Sequence, residues 1–355
     1  MSLRSLLRKE AYWSRRNALG LLLVLCLLPG LFAGSSLLFQ DVIPRDTPVA
    51  VVPQDETVTE EELLSVQFGL AFFADPVAVD SRETALGQLE REAVYAVVEV
   101  PHGLDQAGRD VTFRLYVDGS MVPFKEPSQT IAVIMADQLD ARLDADVDVE
   151  RVIVGNSHDL SGYLVPIALL GVVVLFALTY VPYNLSRERR VLDRVRLESS
   201  LEALVGAKLL FFTALVLVPI GVFHAAISLL GYDISAVAPG TVLAVLLTFV
   251  TLAALGMAIM VLTRFGSLGR FLNVLVLVVV VAFSGLAYPV GYFSALRRTI
   301  VRAMPTHYAT ILVRSSMLRE LPMGAFADWF AGLGLVALGA LVILKLSVVY
   351  HRRST

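Results

Sequence analysis

Apolar runs of about 20 residues, enough for a helix to cross a hydrocarbon core of about 30 Å, recur at 18–39, 163–183, 207–230, 240–263, 271–290 and 327–349. This pattern predicts an α-helical polytopic membrane protein with six transmembrane helices. Residues 41–160, between the first two runs, follow other periods. Val111, Phe113, Leu115 and Val117 alternate with Thr112, Arg114 and Tyr116, the period of a half-buried strand, and Asp118-Gly119 supplies a turn. Val49–Val52 and Val94–Val100 read as further strands, and the alternation from Asp144 to Glu150 as a strand with one wet face. Helices are predicted at Glu60–Phe73, Ser81–Glu92 and Ser128–Leu143. The expectation is an α+β domain inserted between spans one and two.

The first run follows Arg15 and Arg16 and resembles a secretory signal, but it exceeds a signal core of about 7–15 residues and lacks an A-x-A site. It is read as a retained helix. Charge then sets the orientation. Positive charge accumulates at 1–17, with five Lys and Arg, at 184–208, with six, and at 264–270 and the last eleven residues, with two and three. Residues 231–239 hold none. Cytoplasmic loops carry the Lys/Arg excess, so 1–17 and 350–355 are predicted to be cytoplasmic and 41–160 extracytoplasmic, in a plasma-membrane protein.

Residues 41–160 hold 24 acids and 8 bases, net −16, and the remainder is net +13. Alternating acids with one wet face explain much of this acidity without a bound cation, and His102 and His158 read as surface residues. One segment breaks the charge rule. Residues 291–326 should be external, yet contain Arg297, Arg298, Arg302, Arg314 and Arg319. At 100° per residue Phe293, Leu296, Ile300 and Met304 share one helical face, and Arg297, Arg298 and Arg302 another. This predicts an amphipathic helix in contact with membrane lipids. Ser284-Gly285, Pro289 and Gly291 interrupt the preceding span and Pro305 ends the helix, so 285–320 is expected to dip partly back into the membrane.

Chemistry is sparse. Cys26 is the single cysteine, which excludes an intrachain disulfide, and there is no H-E-x-x-H, G-x-S-x-G or G-x-x-x-x-G-K-[ST] sequence. The chain is not expected to be an enzyme, to bind a metal or cofactor of its own, or to bind nucleic acid. Intramembrane polar residues are costly unless they face protein or water, which makes His224, Asn273 and Ser284 candidates for a transport path. The basic stretch Ser186–Lys208 shifts its apolar face from Val191, Leu192 and Val195 to Leu197, Leu201, Leu204 and Val205, as a surface helix bending into the third span would.

Several motifs in order resemble the permease subunits of ABC-2 type exporters, in particular those with a large external domain between spans one and two. They are Pro48-Val-Ala-Val-Val-Pro53, Tyr95–Leu104, Tyr116–Ser120, Glu188-Arg-Arg-Val-Leu-Asp-Arg194 leading to Gly206-Ala-Lys208, and then Ser284-Gly285, Pro289, Met304-Pro-Thr-His-Tyr308 and Arg314. The resemblance implies that the loop 184–206 carries a coupling helix, with Arg187, Glu188, Arg189, Arg190, Asp193 and Arg194 contacting or orienting an ABC ATPase subunit. That partner would hold ATP and Mg. It further implies a second permease, identical or related, and ATP-driven export. Val191-Leu192-Asp193-Arg194 departs from the usual Gly-Thr-Leu-Glu after Glu188. The alternative is a non-transporting membrane receptor or assembly protein whose external domain binds a partner.

Overall fold

The computed structural model describes residues 47–72, 74–106, 108–143, 145–188, 200–286 and 289–353. The expected first span, and with it Arg189, Arg190, Asp193 and Arg194, lies outside the described residues.

The N-terminal part is a five-stranded sheet flanked by helices. In chain order it runs β1 (Thr47–Pro53), α1 (Glu60–Leu70), β2 (Ala74–Ala78), α2 (Arg82–Glu90), β3 (Ala96–Val100), β4 (Asp110–Asp118), α3 (Val122–Lys125), α4 (Ser128–Asp140) and β5 (Asp146–Val154). The strand order is β2-β1-β3-β4-β5. β1 pairs parallel with β2 and β3, β3 antiparallel with β4, and β4 parallel with β5. Successive side chains of a strand point to opposite faces. Val49 and Val51 accordingly pack with Val66 and Leu70 of α1 and Met135 of α4, whereas Ala50 and Val52 pack with Ala85 and Leu89 of α2. A strand covered on both faces reads as an unbroken apolar run, which is why Val49–Val52 is legible.

β2 is an addition to the predicted elements. Its sequence, Ala-Asp-Pro-Val-Ala, contains Pro76, and proline is tolerated in sheets chiefly at edges. β2 is that edge. Helix α1 begins with a capping box in which Thr59 and Glu62 satisfy each other's backbone N–H. Glu62 also accepts hydrogen bonds from the N–H groups of Gly103 and Leu104 at 2.6 and 3.1 Å. Burial works against its charge, but these donors, those of Thr59 and the His102 ring lower its pKa to about 2.

Gly155–Asp159 leads from the sheet to the helices, where Asp159 Oδ1 caps α5 (Leu160–Leu175) by accepting from Gly162 N–H at 2.8 Å. A π-helical turn, Phe176–Tyr180, continues into α6 (Val181–Arg187). Pro182 cannot donate to the ladder there, and the wider turn absorbs the missing bond. Then follow α7 (Leu201–Leu215), α8 (Leu217–Leu230), α9 (Pro239–Leu262), α10 (Ser267–Phe283), α11 (Ala295–Arg302), α12 (Pro305–Met317) and α13 (Ala327–Arg353).

Among the described residues four helical stretches are long and apolar enough to cross a membrane: Leu160–Arg187, Leu201–Leu230, Pro239–Leu262 and Met323–Arg353. α10 is shorter, at 17 residues, because Ser284-Gly285 ends it with Gly285 at φ +68°. α9 is the central helix and packs against α13, α12, α10 and α6.

The chain directions separate two ends of the bundle. At one end the sheet domain meets the start of α5, the end of α12 and the start of α13. At the other, Arg352 pairs with Glu202 at 2.8 Å, and Lys208 Nζ meets Glu188 at 2.8 Å and Asn184 Oδ1 at 2.6 Å. The basic connection 184–208 therefore begins and ends at the face of the bundle remote from the sheet.

Candidate functional site

Among the described residues a cluster of buried charges lies where the sheet domain rests on the helices. Arg314, near the end of α12, donates to Glu92 Oε2 at 2.6 Å and to the Tyr163 hydroxyl at 3.3 Å. Arg319, just beyond α12, donates to Asp118 Oδ2 at 2.7 Å, to Ser120 Oγ at 3.0 Å, to the Glu90 carbonyl at 2.7 Å and to Glu92 Oε1 at 3.3 Å. Two cations and two carboxylates, with side chains at most 10% exposed, balance one another. Such charges persist in a low-dielectric interior only when paired and hydrogen-bonded. Burial works against the Arg319 charge, but the Asp118 and Glu92 carboxylates hold its pKa above the ordinary arginine value.

Local structure aims these groups. Glu92 ends the turn after α2 in the left-handed region, at φ +53°. A non-glycine residue there is held by its surroundings, and here the two arginines hold it. Asp118 closes β4 and also accepts from Ser120 N–H at 2.8 Å, so the predicted Asp118-Gly119 turn presents a fixed carboxylate.

Neutral contacts extend the seam. Gly291 packs against the Tyr95 ring, where an added Cβ would come within 2.5 Å. Phe124 stacks between Tyr95 and Tyr292, with centroids 5.5 and 5.4 Å away, and the Tyr292 hydroxyl donates to the Pro123 carbonyl at 2.6 Å. His158 Nε2 lies 2.7 Å from the Leu318 carbonyl, so this ring is a seam residue rather than a free surface group. Arg91 reaches across to Asp328 at 3.0 Å and lies over Trp329 and Phe326. The sheet domain is thus bolted to both sides of the α12–α13 connection.

The predicted amphipathic helix forms as α11, with Arg297 and Arg298 turned inward and Arg302 exposed. Arg297 and Arg298 are buried while Leu296 and Ile300 face outward. Arg297 donates to the Ala282 carbonyl at 2.7 Å and lies 3.5 Å from the Phe293 ring centroid, and Arg298 is 3.6 Å from Asp75. Tyr308 donates to the Arg302 carbonyl at 2.8 Å, Pro289 precedes a 3-10 turn at Val290–Tyr292, and Pro305 opens α12.

The predicted path residues do not meet. Asn273 is fully buried and donates to the carbonyls of Gly256 and Gly269, pinning α10 to α9. Ser284 Oγ accepts from Leu286 N–H within its own turn. His224 sits half-buried on α8. Of the predicted coupling residues, Glu188 holds Lys208 and Arg187 lies over Tyr183, 5.1 Å from the ring centroid.

A family model described as ABC-2 family transporter protein matches residues 19–349. The chain belongs to this family. It is therefore a membrane-embedded permease of the ABC transporter type, a class that typically works with an ABC ATPase, and the match runs through the sheet domain as well as the helices. Searches of curated proteins and of solved structures gave no match. Glu92, Asp118, Arg319 and Tyr163 are among the seam residues that sequence reasoning did not assign to a site. The available signal was the arginine excess of 291–326, of which the acidic domain pairs Arg298, Arg314 and Arg319 with Asp75, Glu92 and Asp118.

Proposed function

We propose that this permease exports its substrate by ATP hydrolysis on a separate subunit, which docks at 184–208, and that the sheet domain stands outside the cell. The family membership carries the reading. Two features support the orientation. Among the described residues, Lys208 pairs with Glu188 and Arg352 with Glu202 at the bundle end remote from the sheet, where a Lys/Arg excess marks a cytoplasmic face. Of the five arginines that break the rule, Arg314 and Arg319 are neutralised by Glu92 and Asp118.

In this reading ATPase closure pushes on the 184–208 connection and tilts α5–α6 and α7, a rigid-body transition of the bundle. Movement of α5 and α12 then reaches the sheet domain through Tyr163 and Arg314. Two permease units, identical or related, would enclose the path between them. The whole chain, tagged and extracted from its native membrane in mild detergent, should bring down an ABC ATPase in stoichiometric amount. Arg187→Ala with Arg194→Ala, which leaves the Glu188–Lys208 pair intact, should release it. Recovery of the chain without any ATPase, or equal recovery from the double variant, would defeat the docking assignment.

A further inference from the structure

The helical stretch Leu160–Arg187 is tied at its two ends to different parts of the molecule. Its outer end belongs to the seam, where the Tyr163 hydroxyl accepts from Arg314 at 3.3 Å and His158, just before α5, lies 2.7 Å from the Leu318 carbonyl. Its inner end belongs to the 184–208 connection, where Lys208 Nζ meets Asn184 Oδ1 at 2.6 Å and Glu188 at 2.8 Å. Any movement of one end against the other must be taken up within the stretch. Helices bend where their ladder of hydrogen bonds is interrupted.

The turn Phe176–Tyr180 is such an interruption. The Val181 N–H donates to the Phe176 carbonyl, five residues back, instead of to that of Ala177, four back. The next N–H that could serve Ala177 would be that of Pro182, which has none. The wider turn spares the chain a break at Pro182, but it leaves Ala177, a fully buried residue, without a donor from either position. One N–H thus has two carbonyls open to it, Phe176 in the wide turn and Ala177 in an α-helical one. Thr179 Oγ1 adds a bond to the Leu175 carbonyl at 2.6 Å, a back-bond of the kind that bends helices. Short π turns inside α-helices occur frequently at functional sites.

The surroundings suit a joint. The central helix α9 presents Gly256 to the turn, where an added Cβ would lie 3.2 Å from a Pro182 ring carbon and 3.5 Å from the Ala177 carbonyl oxygen. With no side chain there, α9 has nothing to interlock with the turn. Asn273 Oδ1 reaches the same point, fully buried and without a hydrogen-bond partner. The Phe176 ring stacks on Phe249 of α9 and meets Phe212 of α7 edge-on, with centroids 5.6 and 5.8 Å away. Such ring contacts hold the turn in place without a hydrogen bond that rotation would break.

We infer that Phe176–Tyr180 is the joint at which α6 bends against α5 when the ATPase closes, with the Val181 N–H passing from the Phe176 carbonyl to that of Ala177. One hydrogen bond replaces another, so none is lost. The inference rests on docking at 184–208 for its driving force, and on the two tied ends and the interrupted ladder for its place.

The test uses the full chain in the proposed complex with an ABC ATPase, carrying Cys26→Ser and one of two pairs of spin labels. Leu164→Cys with Leu335→Cys spans from α5 to α13 in the outer part of the bundle, and Tyr183→Cys with Tyr350→Cys from α6 to α13 in the inner part, all at exposed positions. With ATP and vanadate the inner distance should shift by about 2 Å or more, the size of helix shifts in such transitions, while the outer distance stays. Pro182→Ala supplies the missing N–H in either register, and should abolish the inner shift while the ATPase stays bound. Deletion of Thr179, which removes the extra residue of the wide turn, serves if Pro182→Ala does not fold. Hydrogen exchange of the chain without ATPase reads the joint by itself: amides of residues 176–183 should exchange about tenfold faster than those of 164–175, and Pro182→Ala should remove the difference. Equal exchange in the two stretches, an inner distance that stays fixed with the ATPase bound, or an outer distance that shifts with the inner one would overturn the joint. Fast exchange suppressed by Pro182→Ala, in a chain that binds no ATPase, would support the joint and overturn the docking at 184–208 instead.

Discussion

Arg314 and Glu92 lie 222 residues apart in sequence and 2.6 Å apart in space, each with its side chain 1% exposed. Glu92 belongs to the sheet domain and Arg314 to the helical segment that precedes the last span, so this ion pair is one of several that join the two parts of the chain. Its burial makes it unforgiving. Removing one partner from a buried pair leaves an uncompensated charge and costs about 3–5 kcal/mol. Glu92→Ala should therefore lower stability by about that amount, and the loss in Glu92→Ala with Arg314→Ala should be well short of the sum of the two single losses. Denaturation of the detergent-solubilised variants measures both. Additive losses would show that the two side chains do not interact.

Acid should loosen the sheet domain through Glu62. Its folded pKa, about 2, lies below the ordinary carboxylate value of 4.5. A depressed pKa contributes stability that is present above the unfolded value and is lost as pH falls through the folded one. Stability should decline between about pH 5 and pH 2, and Glu62→Gln should flatten that part of the profile. Equal pH dependence in both proteins would remove Glu62 from the account.

The contact of α9 with α10 depends on a missing side chain. A Cβ at Gly256 would fall 2.7 Å from Asn273 Oδ1 and 3.2 Å from a Pro182 ring carbon. Gly256→Ala should destabilise the bundle by about 1–3 kcal/mol, the usual effect of overpacking. Asn273→Ala should relieve part of that loss, which thermal unfolding of the double variant would reveal.

Gly291 makes the same demand at the seam, against the Tyr95 ring. Gly291→Val should separate Tyr292 from Phe124 and render residues 289–295 sensitive to protease under conditions where the parent resists. Tyr95→Ala in the same chain should restore resistance. Protection that is unchanged by Gly291→Val would show that the contact does not hold the segment.

Four of the six predicted spans, those at 163–183, 207–230, 240–263 and 327–349, and most strands were legible because hydropathy and period are local properties. Val49–Val52 and the alternation of Val111–Val117 needed no tertiary context. β2 was not legible, because Pro76 opposes a strand everywhere except at an edge, and edge position is decided by the rest of the sheet. The break after α10 was legible in Ser284, Gly285 and Pro289. The inward turn of Arg297 and Arg298 was not, since a helical wheel separates two faces without saying which meets protein. Arg314 stood out as a charge in the wrong place. Its partner was one of 24 acids in residues 41–160, and only the fold brings Glu92 to it. The predicted polar path residues were chosen by the cost of burying them, and Asn273 meets that cost within a helix–helix contact.

The central structural claim is that the sheet domain and the α12–α13 connection move as one body. Spin labels at Glu83→Cys and Gly324→Cys, in a chain carrying Cys26→Ser, report the distance across the seam from two exposed positions. Measured by pulsed electron resonance on the proposed complex with an ABC ATPase, the distribution should be narrow and identical without nucleotide and with ATP and vanadate. A shift of about 5 Å, the size of a one-turn slip between packed elements, or a second population in either state, would contradict the claim and make the seam itself the moving part.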